Sequence, residues 1–274
     1  MSFEHNQTAA HFRSLHTSHK PLALSNAWDV ASAVITETAG ATAVATTSAG
    51  VAWSLGLPDG DRLDRERAVA VVASIVNAVN VPVTADIEGG YSETPEGIAT
   101  TVAEILEAGA VGINMEDGSR DPGEFCARIS AARNAARSVG RDLFINARTD
   151  VFLAGAGTVE QQIAEVLARA EKYVEAGADG IFVPGASDAG TIAALTSGIS
   201  VPVNVMVGAG SLNVGELGGL GVSRVSLGSS IAQAAYAVAQ RATEELNTAG
   251  TYTRVAEAMD YGFLNGIMDT SKKN

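Results

Sequence analysis

Four short stretches of this chain share one polar frame. In Thr84-Ala85-Asp86-Ile87-Glu88, Ile113-Asn114-Met115-Glu116, Asn146-Ala147-Arg148-Thr149-Asp150 and Val203-Asn204-Val205-Met206, alternate residues are polar and those between are small or apolar. A strand points alternate side chains to opposite faces. Thr84, Asp86 and Glu88 therefore share a face, as do Asn114 with Glu116, and Asn146 with Arg148 and Asp150. Acids and an arginine aimed into one space predict a cation site with an anion clamp beside it, suited to chemistry on a carboxylate substrate. Carboxylates that converge without a cation repel and raise one another's pKa. Mg²⁺ resolves this, because it binds through one or two carboxylates and keeps waters elsewhere. Mn²⁺ accepts the same oxygen donors. Arg148 can grip a carboxylate bidentately, unless an ion pair with Asp150 or Glu116 holds it. Asn204 either orients a substrate oxygen or satisfies a buried backbone group.

The absences narrow the chemistry further. All four histidines (His5, His11, His16, His19) precede residue 20, and lysine occurs only at Lys20, Lys172, Lys272 and Lys273. A catalytic body over residues 20–246 then has no imidazole for acid–base work and no strand-end lysine for a Schiff base. The one cysteine, Cys126, allows neither a disulfide framework nor a thiolate metal site within one chain. It follows Phe125 on a predicted helix and is expected to be buried.

Strand-like runs fall near residues 22–26, 43–47, 83–87, 112–116, 144–148, 180–184, 203–206 and 224–227. Amphipathic helices are predicted over 64–79, 95–108, 122–139 and 159–176. Thr94-Pro95 and Asp121-Pro122 supply starts, and Gly109, Gly140 and Gly177 supply stops. Strict alternation of strand and helix argues for a parallel sheet. The stretches beginning Gly40-Ala41, Gly109-Ala110, Gly177-Ala178 and Gly221-Val222 lead into alternate strands, while Pro21, Pro82 and Pro202 open three of the others. Such alternation is expected of a (β/α)₈ barrel, whose interior is filled in layers from alternate strands. An open doubly wound sheet lacks a strand leading into Gly-x-Gly-x-x-Gly. The expected organisation is a single α/β domain: an N-terminal helix over 1–19, a barrel over 20–247 and a C-terminal helical extension over 250–274. That extension needs a surface to cover, and a partner subunit would provide one.

In a barrel of this kind the chemistry sits at the C-terminal ends of the strands, which is where Asp86, Glu88, Glu116, Asp117, Arg148, Asp150 and Asn204 fall. The loop after the second strand adds Thr47, Ser48, Ala49 and Gly50, either an anion-binding run of N–H groups or an ordinary turn, and continues to Asp59. Gly228-Ser229-Ser230 reads as a helix cap or a phosphate site, and Trp28-Asp29 as a cap with a packing indole.

With 274 residues, 46% apolar, the chain has ample material for a core, and its net charge of -13 makes nucleic acid and anionic membranes poor partners. No apolar run approaches a membrane span, and the N-terminus carries no secretory pattern. A cytoplasmic setting is expected.

At these residues the chain resembles the isocitrate lyase / phosphoenolpyruvate mutase superfamily over about 20–246. The motifs are Thr47-Ser48-Ala49-Gly50-Val51-Ala52 leading to Leu55-Gly56-Leu57-Pro58-Asp59-Gly60, then Val83 to Tyr91, Gly112 to Asp117, Asn146 to Asp150 and Pro202 to Val205. The resemblance implies a barrel with a helix exchanged between subunits, in a homotetramer or dimer. It implies Mg²⁺ (or Mn²⁺) held directly by Asp86, with Asp59, Glu88 and Glu116 holding its waters. It implies a substrate carboxylate held by Thr47, Ser48 and Ala49, with Arg148 and Asn204 nearby. Arg148, Glu116 and Asp59 are then the candidate catalytic groups. Where the family's isocitrate-type lyases carry a Lys-Cys-Gly-His segment, this chain has Gly118-Ser119-Arg120-Asp121-Pro122. They also carry a histidine in place of Asn114 and a glutamate in place of Gly185. The asparagine that phosphonomutases need on a longer gating loop is absent. The expected activity is carbon–carbon lysis or decarboxylation of a small 2-oxo or 2-hydroxy (di)carboxylate through a metal-stabilised enolate. A lyase would need a base, for which Tyr91, Asp117 and Asp150 are the candidates. Phosphonate chemistry and a non-catalytic binding role on the same barrel are the alternatives.

Overall fold

The computed structural model describes residues 2–270, so the last four residues of the expected C-terminal extension lie outside the described residues. Nine strands form one all-parallel sheet: β1 (Leu22–Leu24), β2 (Asn26–Ala27), β3 (Val44–Thr46), β4 (Val83–Asp86), β5 (Gly112–Glu116), β6 (Phe144–Arg148), β7 (Gly180–Phe182), β8 (Val203–Met206) and β9 (Arg224–Ser226). β1 and β2 are two halves of one stave interrupted at Ser25. β1 pairs with β9 and β2 with β3, so the ring closes through the interrupted stave. This is the (β/α)₈ barrel that the alternation predicts, and each predicted strand coincides with an observed one.

The helices are α1 (Ser2–Ser14), α2 (Val30–Thr38), α3 (Ser48–Ser54), α4 (Arg65–Ala78), α5 (Pro95–Glu107), α6 (Pro122–Ser138), α7 (Val151–Ala154), α8 (Val159–Ala176), α9 (Ala189–Gly198), α10 (Val214–Gly219), α11 (Ser230–Thr248) and α12 (Tyr261–Thr270), with a 3₁₀ turn over Thr253–Val255. Their starts follow the local chemistry. Asp29 caps α2 in a capping box with Ser32, Asp64 caps α4, and Thr94 caps α5 one residue before Pro95. Thr158 and Gln161 form a second box on α8, which Gly177 ends at φ 116. Each such cap satisfies a backbone N–H that the helix itself leaves unpaired.

Residues paired in register share a face of the sheet. One inward row climbs the barrel wall through Leu22, Arg224, Asn204, Phe182, Arg148 and Glu116. A second row holds Asn26, Ala45, Thr84, Gly112 and Phe144, and a third holds Asp86, Asn114, Asn146 and Gly180. The barrel interior has no room for a side chain at Gly112, where a Cβ would meet Thr84 Oγ1 at 2.8 Å and Phe12 Cε1 at 2.9 Å.

At the N-terminal end α1 plugs the barrel. Phe12 is fully buried among Leu22, Leu24, Ala43, Ala45 and Phe144, and His16 stacks on Phe144 at 4.1 Å between centroids. Burial first, then the charge of Arg224, pushes His16 down to about 3, so the imidazole is neutral there. The helix expected to complete the barrel behaves differently. In α11 only Ala232 is buried, and Tyr236, Val238 and Leu246 stand exposed. α12 instead packs Ile267 and Met268 beside the cluster that includes Val34 of α2 and Ile75 of α4. Cys126 is part-exposed rather than buried, with its Sγ 3.6 Å from the Lys172 carbonyl oxygen, because it sits at the flank of α6 while Phe125 points into the core.

Candidate active site

A polar cavity of about 180 Å³ opens at the C-terminal ends of the strands. It brings together Thr47, Ser48, Ala49, Asp59, Asp86, Arg148 and Asn204, all named from the sequence. It also takes in Thr84, which shares the frame of Asp86, and Asn26, Arg224 and Ser226, which the strand-end pattern did not single out. Glu88 and Glu116 do not line it. Glu116 stands behind Arg148, whose Nη1 reaches its Oε2 at 2.6 Å. Glu88 accepts from the Asp61 backbone N–H and leaves its Oε1 without a partner.

Asp86 ends β4 at the centre of the site. Its Oδ2 accepts from the Ser48 N–H at 3.0 Å and the Ser48 hydroxyl at 2.8 Å. Its Oδ1 accepts from Asn114 at 3.1 Å, and Asn146 donates in turn to Asn114 (2.9 Å) and to Asn204 (3.1 Å). Asn204 Nδ2 donates to the carbonyls of Val205 and Arg224 and to Ser226 Oγ. Of its two sequence readings, Asn204 therefore takes the buried backbone role, within an amide chain that crosses the barrel from Asp86. Such a chain fixes each member's rotamer through its neighbours.

Thr47 to Ala49 are not a plain turn. They open α3, with Thr47 as its N-cap residue but no side-chain cap bond. The Thr47 N–H is committed to the Ala27 carbonyl at 3.0 Å. Ser229 likewise begins α11 without a cap bond and lines the cavity.

Arg148 bonds both neighbours that its sequence reading allowed. Its Nε and Nη2 grip Asp150 bidentately at 2.6 and 3.1 Å, while Nη1 holds Glu116. Burial opposes its charge, but Glu116 and Asp150 outweigh that, and the net pKa shift is upward. Its guanidinium also lies 6.0 Å from the Phe182 ring centroid.

The acids carry the signature of crowding. Burial pushes Glu116 up to about 8; Arg148 opposes the shift, and Asp86, Asp150 and Glu88 add to it. Burial, followed by the charges of Asp61, Asp59 and Asp86, pushes Glu88 up to about 7 despite its bond from Asp61. Asp59 is raised by burial and then by Asp86. Among the described residues, no three His, Cys, Asp or Glu side chains form a ready-made metal cage.

The three candidate bases are each otherwise engaged or unsuited. Asp117 is wholly buried and acts as a brace: its Oδ2 accepts from Arg169 (2.8 Å) and Tyr173 (2.7 Å), and its Oδ1 from the Asp150 N–H. Asp150 is engaged by Arg148. Tyr91 is raised well above the ordinary phenol range, first by burial and then by the surrounding acids, so it is a poor proton acceptor at neutral pH. The loop after β5 contributes Arg120, which reaches across Gly89 to Asp61 at 2.9 Å and latches the loop that carries Asp59.

The closed parallel barrel with acids and an arginine at its C-terminal mouth defines a (β/α)₈ enzyme-type scaffold. Residues 12–247 match the phosphoenolpyruvate phosphomutase family, and the chain belongs to that family within the phosphoenolpyruvate mutase/isocitrate lyase superfamily. It is 41% identical over 222 residues to an uncharacterized protein of Mycobacterium tuberculosis, covering 80% of this chain and 81% of that one. It is 27% identical over 206 residues to the 2-methylisocitrate lyase of Escherichia coli, covering 70% and 67% respectively. Among solved structures it superposes at a TM-score of 0.84 and 45% identity on a Burkholderia cenocepacia protein assigned provisionally to the phosphonomutases, covering 87% of this chain and all of that one. Among the described residues, no helix is long and apolar enough to cross a membrane.

Proposed function

We propose that this chain is a divalent-metal-dependent lyase or decarboxylase that breaks a carbon–carbon bond in a small 2-oxo or 2-hydroxy (di)carboxylate. The observation that carries this reading is the meeting of Asp59, Asp86 and Arg148 on one small polar cavity, backed by two further acids with raised pKa. The volume is below the several hundred cubic ångströms of a drug-sized site, which suits a short acid.

The donor set fits Mg²⁺ or Mn²⁺. All the candidate ligands are carboxylate oxygens, their mutual repulsion calls for positive charge, and Glu88 Oε1 is buried without a partner. With no three-acid cage, the fitting arrangement is direct ligation by Asp86, with Asp59, Glu88 and Glu116 reached through water. When bound, the ion supplies a Lewis acid for charge that grows on a substrate oxygen.

The chain's own residues do the rest. Arg148 brings a second positive charge, held in place by Glu116 and Asp150. The start of α3 borders the space for the substrate carboxylate, with Ser48 fastened to Asp86 through its N–H and hydroxyl. Asn114, Asn146 and Asn204 hold Asp86 from beneath. No histidine, cysteine or lysine lines the cavity. Decarboxylation of a 2-oxo acid needs an electron sink and no strong base, so this inventory favours it over a base-dependent aldol cleavage.

The test is a screen of 2-oxo and 2-hydroxy dicarboxylates with added Mg²⁺ or Mn²⁺, reading pyruvate release. Silence across the panel from well-folded protein would sink the reading. A second reading, phosphonate chemistry, is favoured by the 45% identity to the Burkholderia cenocepacia protein. Phosphorus NMR with phosphonopyruvate separates the two. The exposed apolar face of α11 supports a homo-oligomer in which a partner subunit covers it.

A further inference from the structure

One buried side chain at the cavity is left unused by the proposed chemistry. Arg224 opens β9 on the inward row, and it is 3% exposed. Its Nε and Nη1 are buried without a hydrogen-bond partner, and it makes no salt bridge among the described residues. Its side chain lines the cavity. Two more cavity residues share this condition: Thr84 Oγ1 and Asn26 Oδ1 are buried and unpartnered as well.

Arg224 makes no ion pair among the described residues, and the unfilled acceptor beside it, His16 Nε2, carries no charge to match its own. Below it lies His16, neutral at physiological pH. Asn204 faces it with a donor amide already spent on the Arg224 carbonyl. Asp86 is the one acid whose charge acts on it, and Asp86 is taken by Ser48 and Asn114. A buried, unpaired guanidinium is costly to keep. Burial pushes its pKa down to about 9 against the opposing charge of Asp86. Arg148, three steps along the same row, shows the contrast: it is matched by two carboxylates of its own chain.

We propose that Arg224, with the Thr84 hydroxyl, receives a second anionic group of the substrate at the inner end of the cavity, so that the substrate is a dianion rather than a simple 2-oxo acid. Guanidinium N–H groups in a planar fork match a carboxylate or a phosphonate, and the Thr84 hydroxyl adds a third donor. Asn26 Oδ1 is the matching acceptor for a substrate hydroxyl. This inference rests on reading the cavity as an acid-binding site. It adds that the acid carries charge at both ends: one near Ser48 and Arg148, the other at Arg224.

Calorimetric titration in EDTA tests this without turnover, so it is independent of the lyase reading. The probes are succinate, its one-charge analogue butyrate, and 3-phosphonopropionate. Wild-type protein is expected to bind succinate or 3-phosphonopropionate at least tenfold tighter than butyrate, and the stronger of the two identifies the second group as carboxylate or phosphonate. Arg224→Met is expected to erase that preference, while its melting temperature rises because the unpaired charge is gone. Arg224→Lys keeps the charge without the fork and should fall between the two, which preserves the test if the Met variant fails to fold. Equal affinity of wild type and variants for the dianions overturns the proposal. So does a wild-type protein that binds no dianion, or that does not distinguish dianions from butyrate.

Discussion

At the N-terminal end of the barrel, Phe12 of α1 is fully buried against Phe144, Leu22 and Leu24, and the imidazole stacked there, His16, is held neutral. At the C-terminal end, Asp59, Glu88 and Glu116 are crowded until their pKa values rise, and Asp86 is held by Ser48 and by a chain of three asparagines rather than by packing. The difference separates two physical jobs. Apolar burial at the plug supplies free energy of folding. Crowded acids at the mouth raise the energy of the empty site and lower it again when a cation or substrate arrives. A change at the mouth should therefore cost activity and spare stability, and a change at the plug should do the reverse.

The sharpest break is Asp86→Ala. Loss of the proposed direct metal ligand would remove several kcal/mol of charge stabilisation, so turnover should fall on the order of a thousandfold and lose its Mg²⁺ dependence, with the melting curve little changed. Steady-state rates across a Mg²⁺ titration check this. Phe12→Ala is its mirror image: the protein should lose about 3–5 kcal/mol in urea unfolding, while the folded fraction keeps its kcat. Arg148→Lys keeps the charge but not the bidentate fork. It should cost about a hundredfold in kcat/KM, and a wild-type rate would remove Arg148 from the site.

The most gradual effect is a pH slope. The folded pKa of His16 lies near 3, below the ordinary imidazole value of 6.5. Between those values the unfolded chain binds the proton and the folded chain does not. The stabilising contribution is thus complete above pH 6.5 and is lost as pH falls towards 3, by about 1.4 kcal/mol per pH unit. His16→Phe should flatten the stability profile over that window and leave it unchanged above pH 7, as urea titrations at a series of pH values would read. An unchanged slope would mean that the plug opens before the histidine protonates.

The strands were legible because their polar residues keep a period of two, and the observed register puts Asp86, Asn114 and Asn146 in one row, as that period requires. Helix starts were legible where a capping side chain precedes proline, as at Thr94 and Asp121. Three things were not. Arg224 stands at the first residue of its strand, whereas the polar pattern marks strand ends; an arginine two residues before Ser226, on the same face of β9, is the signal that points to it. Asp117 looked available because sequence adjacency to Glu116 says nothing of Arg169 and Tyr173, which reach it from α8. The exposure of α11 was hidden because its apolar periodicity is the same whether a helix covers its own barrel or a neighbour's.

Asp61, Glu88 and Tyr91 each hold a left-handed backbone, at φ 56, 51 and 53. Side chains other than glycine adopt that conformation at a cost of about 1–3 kcal/mol. A selection for heat resistance alone would drift towards glycine at these three positions and would strip two carboxylates from the rim as it succeeded. Thermal robustness and acid inventory are antagonists written into the same few residues, so a hardened variant of this protein should be checked first at position 88.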